Sequence, residues 1–313
     1  GGGINLVQSN TLRLDSVNMS SNVAGTVGGG LSVMGESTAY FSSGNTVFNN
    51  SAAFSGGGIA VVNSPLWGIN GSGTLILDYN RAQTGSAMLF TRLLASNNSL
   101  MNMIISNSHA EIGGTAYWLY DSSMITEPSG LRSPSVMWEN NTAPYGELVG
   151  TQAVELMGPT IYEVSVYGAP LSPPLSFQLF DYYGIHLPLQ GTTTVVVSLG
   201  SVVECDGQTP SLSGSDLIGD GVAMVNGTST FASLEVHCTP NGNLTLTIEA
   251  RLGNLLGVSS TIAGDYYLRN ETLLQFRSCV SGEQYTPRQC EVCPFGSYSL
   301  VDMSLSCTDC LST

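Results

Sequence analysis

The first half of the chain alternates short apolar and polar stretches, and these stretches recur at a nearly constant interval. The recurring unit reads apolar-x-x-Asn-x-Ala and is followed, five or six residues after the Asn, by a glycine-rich turn. The repeated asparagines are 28, 30, 27 and 34 residues apart. An interval of about 28 residues suits one coil of a three-sided parallel β-helix, whose stacked coils share one core.

The repeat predicts an internal column of asparagines, because equivalent residues of successive coils lie above one another. Each amide is expected to bond to the backbone or to its neighbour in the column, as stacked amides do. The predicted ladder is Asn22, Asn50, Asn80, Asn107 and Asn141. Apolar residues three positions earlier should stack in the core: Met19, Val47, Leu77, Ile104 and Trp138. The glycines should supply the positive φ angles of the turns.

The chain divides into three parts, because longer alternating stretches begin at Pro159 and a cysteine-dense tail begins at Cys279. Residues 1–158 are predicted to form the parallel β-helix, 159–276 a β-sandwich, and 277–313 a truncated cysteine-rich module. The predicted class is therefore all-β. The strand candidates of the middle part are Ile161–Tyr167, Leu175–Asp181, Thr193–Leu199, Gly221–Val225, Thr230–His237, Leu244–Ala250 and Tyr266–Phe276.

Composition and charge exclude several functions. The 313 residues include 8 Lys+Arg, all of them arginine, and 23 Asp+Glu, for a formal charge of −15. Proteins that follow nucleic-acid phosphates need clustered basic residues, and Schiff-base or P-loop chemistry needs lysine. No apolar stretch reaches the roughly 18 residues that span a membrane. Because the sequence begins Gly1-Gly2-Gly3 without Met, we expect a piece of a longer protein.

The repeat resembles that of the polymorphic outer-membrane proteins, in which Gly-Gly-Ala-Ile is paired with Phe-x-x-Asn. Here Gly56-Gly57-Gly58-Ile59 follows Val47-Phe48-Asn49-Asn50, and Met, Val, Leu, Ile or Trp replaces the family's Phe. The resemblance covers about half of the chain. It implies a right-handed β-helix with surface or adhesive roles, and similar repeats occur in large extracellular proteins of protists and algae.

The other two parts carry their own resemblances. The stretch Leu175–Gly184, followed by Gly221-Val222-Ala223, resembles filamin-type and invasin-type Ig-like domains, which act as spacers or contact modules. The string Cys293-Pro294-Phe295-Gly296-Ser297-Tyr298-Ser299 resembles ephrin-receptor-like and TNF-receptor-like cysteine-rich modules. Together these imply a secreted or cell-surface protein.

Seven cysteines lie after residue 158. Cys205 and Cys238 lie within the predicted sandwich and can pair with each other. The resemblance of the tail implies the disulfides Cys279–Cys290 and Cys293–Cys307, with Cys310 joined to a cysteine beyond the chain. Zinc is the alternative, because two Cys-x2-Cys pairs follow each other at nearly zinc-ribbon spacing. The additional Cys279 and the secreted-type composition favour disulfides.

Eight Asn-x-Ser/Thr sequons predict N-glycosylation, with ordinary surface asparagine as the alternative. They are Asn18, Asn49, Asn70, Asn97, Asn140, Asn226, Asn243 and Asn270. The opposite pleat direction of a residue beside the ladder should turn Asn49 and Asn140 outward.

We expect no catalytic residues, no cofactor and no metal site. A polysaccharide lyase or hydrolase would need clustered carboxylates, or carboxylates that hold Ca²⁺. Asp78 and Glu139 nearly share a phase of the repeat but are two coils apart, and His109 is expected in a turn. Asp216 and Asp220 could contribute Ca²⁺ ligands, but an acidic turn explains them better.

These features predict a structural glycoprotein outside the cell or on its surface. The favoured function is the protomer of a filament or matrix fibre, such as a mastigoneme-like flagellar hair, whose partners are copies of itself or sister subunits. A cell-surface adhesin that binds glycans or host surfaces is the alternative, and a polysaccharide lyase or hydrolase is a third. Neither nucleic acid nor a membrane span is expected in this fragment.

Overall fold

The structure is a computed structural model that describes residues 1–42, 44–62, 64, 74–91, 102–119, 131–165, 168–188, 193–217, 221–252 and 266–310. Among these residues, one compact unit consists of 1–154 and 180–189, and the other of 155–179, 190–252 and 266–310. The described residues form strands almost throughout, with one 3-10 turn at Ser215–Leu217, which confirms the all-β class. None of their helices has the length and apolarity needed to cross a membrane.

The first unit is a parallel β-helix, as predicted, in which each face gathers one strand from each successive coil. Face A consists of Ile4–Leu6, Leu31–Met34, Ile59–Val62, Met88–Thr91, Ala116–Trp118 and Val149–Thr151. Face B consists of Asn18–Ser20, Asn45–Phe48, Thr74–Asp78, Asn102–Ser106 and Val136–Glu139. Face C consists of Val23–Ala24, Ser51–Ala52, Arg81–Thr84 and His109–Gly113. A further parallel pair, Thr11–Leu14 with Thr38–Phe41, lies between faces A and B in the chain.

The core of this unit is a set of columns that run from coil to coil. On face B, the register aligns Met19, Val47, Leu77, Ile105 and Trp138. Burying one such aliphatic side chain contributes about 1.5–3 kcal/mol, and only stacked neighbours can provide that burial. The prediction of Ile104 in this column is wrong by one residue, since Ile105 is fully buried and Ile104 is only half-buried on the other side of the strand.

Glycines shape the entry into face A, as predicted. The glycine that begins this turn has a positive φ in successive coils: Gly28, Gly56, Gly85, Gly114 and Gly146. In the first two of these turns the next residue is also glycine and has little space, because a Cβ on Gly57 would overlap the carbonyl oxygens of Arg81 and Ser86. The repeated Gly-Gly element therefore combines a left-handed turn with a close approach of neighbouring coils.

The second unit contains two larger sheets. The three-stranded sheet consists of Glu155–Met157, Leu175–Phe180 and Thr228–Phe231. The five-stranded sheet consists, in spatial order, of Ile161–Val164, Tyr266–Phe276, Asn243–Leu252, Thr194–Glu204 and Val222–Ala223. Alternate residues of Leu175–Phe180 are buried, which leaves one covered and one exposed face. Three short antiparallel pairs complete the unit: Ser211–Ser213 with Glu235–His237, Glu283–Tyr285 with Cys290–Val292, and Ser297–Tyr298 with Thr308–Asp309.

Two details differ from the sequence prediction. The candidate Thr230–His237 is two strands in different sheets, broken where the Ser233 N–H donates to Asp216 Oδ2 at 2.6 Å. The stretch Phe180–Leu189, expected within the sandwich, belongs to the compact unit of the β-helix.

Candidate functional site

The asparagine ladder lies at the corner between faces B and C. The Asn22 backbone N–H and Nδ2 donate to Asn50 Oδ1 at 3.0 and 2.9 Å, and the same two groups of Asn50 donate to Asn80 Oδ1 at 3.1 and 3.2 Å. Nδ2 of Asn50 also donates to the Met19 carbonyl at 2.9 Å. Each buried amide thus bonds to the coils on both sides of it, which satisfies backbone groups that the corner would leave unpaired.

The ladder prediction is wrong at Asn107, because Ser108 takes that place. The Asn80 backbone N–H donates to Ser108 Oγ at 3.3 Å, and the Ser108 N–H donates to Asn141 Oδ1 at 3.0 Å. Asn107 lies one residue earlier with a φ of 48°. Its Nδ2 donates to Asp78 Oδ1 at 2.9 Å, outside the ladder.

A signal for the correct register was present in the repeat. The structure aligns Ala110 with Ala82, and the ladder residue Asn80 precedes Ala82 by two positions. Ser108 has that spacing from Ala110, whereas Asn107 does not. The residue type favoured Asn107, but the alanine spacing identifies Ser108.

Substitutions of Ser108 and Asn107 test which of the two belongs to the ladder. Ser108→Ala removes the acceptor of the Asn80 N–H and the hydroxyl that donates to the Ser106 carbonyl. We expect a loss of about 1–3 kcal/mol in the free energy of unfolding, because a buried group loses its partner. Asn107→Gly, which keeps the left-handed backbone, should change it by less than about 0.5 kcal/mol. Urea unfolding followed by tryptophan fluorescence measures both, and equal losses would contradict the corrected register.

A second column lies beside the ladder. It consists of the residue directly before the ladder residue in each coil. All of its members have a positive φ: Ser21, Asn49, Tyr79, Asn107 and Asn140. Four are small polar residues of the kind that tolerate this conformation, whereas Tyr79 is bulky. The Tyr79 side chain is 49% exposed, and its ring contacts that of Phe48, 39% exposed, at a centroid distance of 5.8 Å and an angle of 71°.

The predicted sequons differ in how their amides are used. Asn18, Asn49, Asn140 and Asn226 are exposed. Within the described residues, the side chains of Asn18, Asn140 and Asn226 have no hydrogen bond, and Asn49 Nδ2 donates to Ser21 Oγ at 3.3 Å. These four amides are open to the solvent.

The remaining sequons are less accessible or not described. Asn270 is half-buried, and its Nδ2 donates to the Leu156 carbonyl at 2.7 Å. Asn243 lies on a strand and donates to Glu204 Oε2 at 2.9 Å. Asn70 and Asn97 lie outside the described residues. The half-buried Asn270 offers less room for a glycan than the four exposed asparagines.

Three disulfides join the cysteine pairs expected from the sequence: Cys205–Cys238, Cys279–Cys290 and Cys293–Cys307. Cys310 is a free, exposed thiol. One described group, Cys279, Glu283 and Cys290, has metal-ligand spacing, but both of its sulfurs are in a disulfide and offer no thiolate. Three of the four cysteines with zinc-ribbon spacing, Cys290, Cys293 and Cys307, are also in disulfides, which contradicts the zinc alternative.

An ion pair lies within the tail, at its start. Arg277 Nη1 and Nη2 lie 2.7 and 2.8 Å from the two carboxylate oxygens of Glu283. This bidentate contact lowers the pKa of Glu283 below its ordinary value. The pair orients the first turn of the cysteine-rich segment.

The carboxylates of the β-helix do not form a clustered acid–base pair in the described residues. Asp78 and Glu139 share the outer column of face B, with Ser106 between them. Asp78 Oδ1 accepts from Ser106 Oγ at 2.8 Å. His109 begins a strand of face C and does not lie in a turn as expected; its Nδ1 is 2.7 Å from Thr142 Oγ1.

A Ser–His–Glu group on the second unit has the composition of a nucleophilic triad but not its geometry. Ser213 Oγ lies 3.3 Å from His237 Nε2 and 3.0 Å from Glu235 Oε2. The glutamate approaches the same Nε2 at 3.9 Å. A triad needs the acid on the other ring nitrogen, so that the imidazole can accept the serine proton. The candidate Ca²⁺ ligand Asp216 bonds to Ser233 as described above, and Asp220 lies outside the described residues.

Residues 180–188 of the same unit contact the later coils of the β-helix. Tyr183 packs against the core and accepts a bond from Trp118 Nε1 at 2.9 Å, and the Tyr182 N–H donates to Thr151 Oγ1 at 3.0 Å. Buried Asp181 accepts from the N–H groups of Tyr183 and Ile185, both at 2.8 Å, and burial raises its pKa above the ordinary value.

Among the described residues, the first coil, Ile4–Ala24, pairs with the second coil on faces A, B and C and in the additional pair. Ile4, Leu6, Leu12 and Val17 are half-buried and pack against the core. Among the described residues no group donates to Asn22 Oδ1, the atom that accepts two bonds in Asn50 and Asn80.

A scan of protein-family models gave no match, and neither a curated protein nor a solved structure matches the chain. The likenesses of its repeat, sandwich and tail therefore remain resemblances of sequence motifs.

Proposed function

We propose that this chain is part of a structural extracellular glycoprotein, the protomer of a filament or matrix fibre that assembles through contacts with other copies of itself. The observation that supports the proposal is the stack of parallel coils on one shared apolar core, a repeat architecture that extends by adding coils.

Two further features support an extracellular setting. Disulfides persist in oxidising compartments, and the chain contains three of them. Asn18, Asn49, Asn140 and Asn226 present solvent-exposed amides in sequons, as N-glycosylation requires. With 10% charged residues, attached sugars would supply hydration that charged groups supply in most soluble proteins.

The assembly can be tested by sedimentation of the purified, glycosylated chain over a wide concentration range. We expect the chain to associate as its concentration rises.

A chain that stays monomeric at every concentration would overturn the assembly. Binding of glycans or cell surfaces by a strictly monomeric chain would favour the adhesin. Circular dichroism checks that the β-helix has folded.

A further inference from the structure

An exposed aromatic pair lies beside one of the sequons on the flank of the β-helix. Phe48 is the residue before Asn49, and Tyr79 occupies the place of Asn49 in the next coil. The Asn49 N–H donates to the Asp78 carbonyl at 2.9 Å, which fixes Asn49 directly next to Tyr79 in the corner column. Neighbouring strands are about 4.8 Å apart, so a group attached to Asn49 emerges beside the Tyr79 ring.

Packing of the fold does not account for the tyrosine. Its φ of 55° is unfavourable for a bulky residue, and the other coils place Ser or Asn at this corner. The ring is not buried in return, since about half of it is exposed, and its neighbour Phe48 is also exposed. A strained residue whose side chain faces the solvent indicates a contact outside the protein core.

The chemistry around the pair fits a sugar ring. The faces of Tyr79 and Phe48 offer the flat apolar surface that covers the C–H face of a pyranose, and the tyrosine hydroxyl can bond to sugar oxygens. Asp78 lies in the same outer patch, with Oδ1 bonded to Ser106 and Asn107. The bond from Asn49 Nδ2 to Ser21 Oγ is compatible with attachment, because a glycosylated amide keeps one N–H.

We infer that Asn49 carries an N-glycan whose first sugar docks on the Phe48–Tyr79 pair. The inference rests on the proposed extracellular glycoprotein and assigns one of its glycans a fixed position. The docked sugar covers apolar surface of two adjacent coils and links them from the outside. The glycan of Asn140 has no such platform, because its neighbour in the corner column is Asn107.

The test compares two glycans in the full chain secreted from a eukaryotic host. Glycopeptide mass spectrometry should find Asn49 occupied. Under native conditions, we expect a glycosidase to remove the Asn49 glycan several-fold more slowly than the Asn140 glycan. Tyr79→Asn places at the corner the residue that other coils use, so it preserves the fold. It should bring the two removal rates together.

Thermal unfolding provides a second readout. In glycosylated protein, Asn49→Gly should lower the Tm by about 2–4 °C, the effect of about one kcal/mol in a unit of this size. The same change in the Tyr79→Asn background should have little effect, and Asn140→Gly should have little effect in either. In protein made without glycosylation, the effects of Asn49→Gly and Tyr79→Asn on the Tm should simply add.

Each alternative outcome is distinct. An unoccupied Asn49, or equal rates of glycan removal from Asn49 and Asn140 in the wild type, would overturn the inference. If glycans were still found at Asn18, Asn140 or Asn226, the glycoprotein proposal would stand. Absence of glycan from every sequon would refute the glycoprotein itself. The unglycosylated protein could instead bind a polysaccharide, and Tyr79→Asn could abolish that binding. The Phe48–Tyr79 pair would then bind a sugar from another molecule, and the docking of the Asn49 glycan would be overturned.

Discussion

Replacing Asn50 by Leu is expected to lower the free energy of unfolding of the β-helix by at least about 3 kcal/mol. Leu has a similar volume, so the change removes bonds and leaves little cavity. The Met19 carbonyl, the Asn22 N–H and Asn80 Oδ1 would lose partners inside the protein. Each buried polar group left without a partner costs about 1–3 kcal/mol.

Tryptophan fluorescence measures this loss, since all three tryptophans, Trp67, Trp118 and Trp138, precede residue 158. Asn140→Gly is the matched control, because it changes an exposed asparagine of the adjacent column and keeps its left-handed backbone. It should alter stability by less than about 0.5 kcal/mol. Equal stability of Asn50→Leu and the wild type would show that the amide column does not hold the coils together.

Removing the disulfide between Cys205 and Cys238 should have an effect of similar size on the second unit. The two cysteines are buried and 33 residues apart in sequence. Closing a loop of this length restricts the unfolded chain by about 4 kcal/mol in the chain-entropy description. We therefore expect the double variant Cys205→Ala with Cys238→Ala to lose about 2–4 kcal/mol.

Hydrogen exchange of the strand Asn243–Leu252 reports this loss, because the strand is central to the five-stranded sheet. Its protection should fall by a factor of about 30 or more, the equivalent of roughly 2 kcal/mol. Cys310→Ser, which changes the exposed thiol, should leave protection unchanged. If the double variant kept full protection, the disulfide would have no part in stabilising this sheet.

The β-helix could be predicted from the sequence because its repeat imposes several signals at once. Apolar spacing, asparagine and glycine agree in the coils that contain Asn50 and Asn80, and there the structure has the predicted column. They disagree in the coil of Ser108. There Ile104 and Ile105 are adjacent and Asn107 lies one residue before the ladder position, so the predicted positions are one residue too early. Side-chain chemistry alone does not fix the register, whereas stacking against Ala82 does.

The second unit shows where local patterns fail. The predicted strand Tyr266–Phe276 matches the observed strand, since it is long and strongly alternating. The strand Ser211–Ser213 was missed, because its short polar sequence becomes a strand only by pairing with Glu235–His237. The side chain of Asn270 bonds to the carbonyl of Leu156, which is 114 residues away in sequence, and no local sequence pattern reveals that contact.

The asparagine ladder does not hold every pair of coils equally. Asn22 and Asn50 each make two hydrogen bonds to the next coil through the backbone N–H and Nδ2. Asn80 makes only one such bond, from its N–H to Ser108 Oγ. Since each coil contacts only its neighbours, local opening of the β-helix is expected to begin between the coils of Asn80 and Ser108.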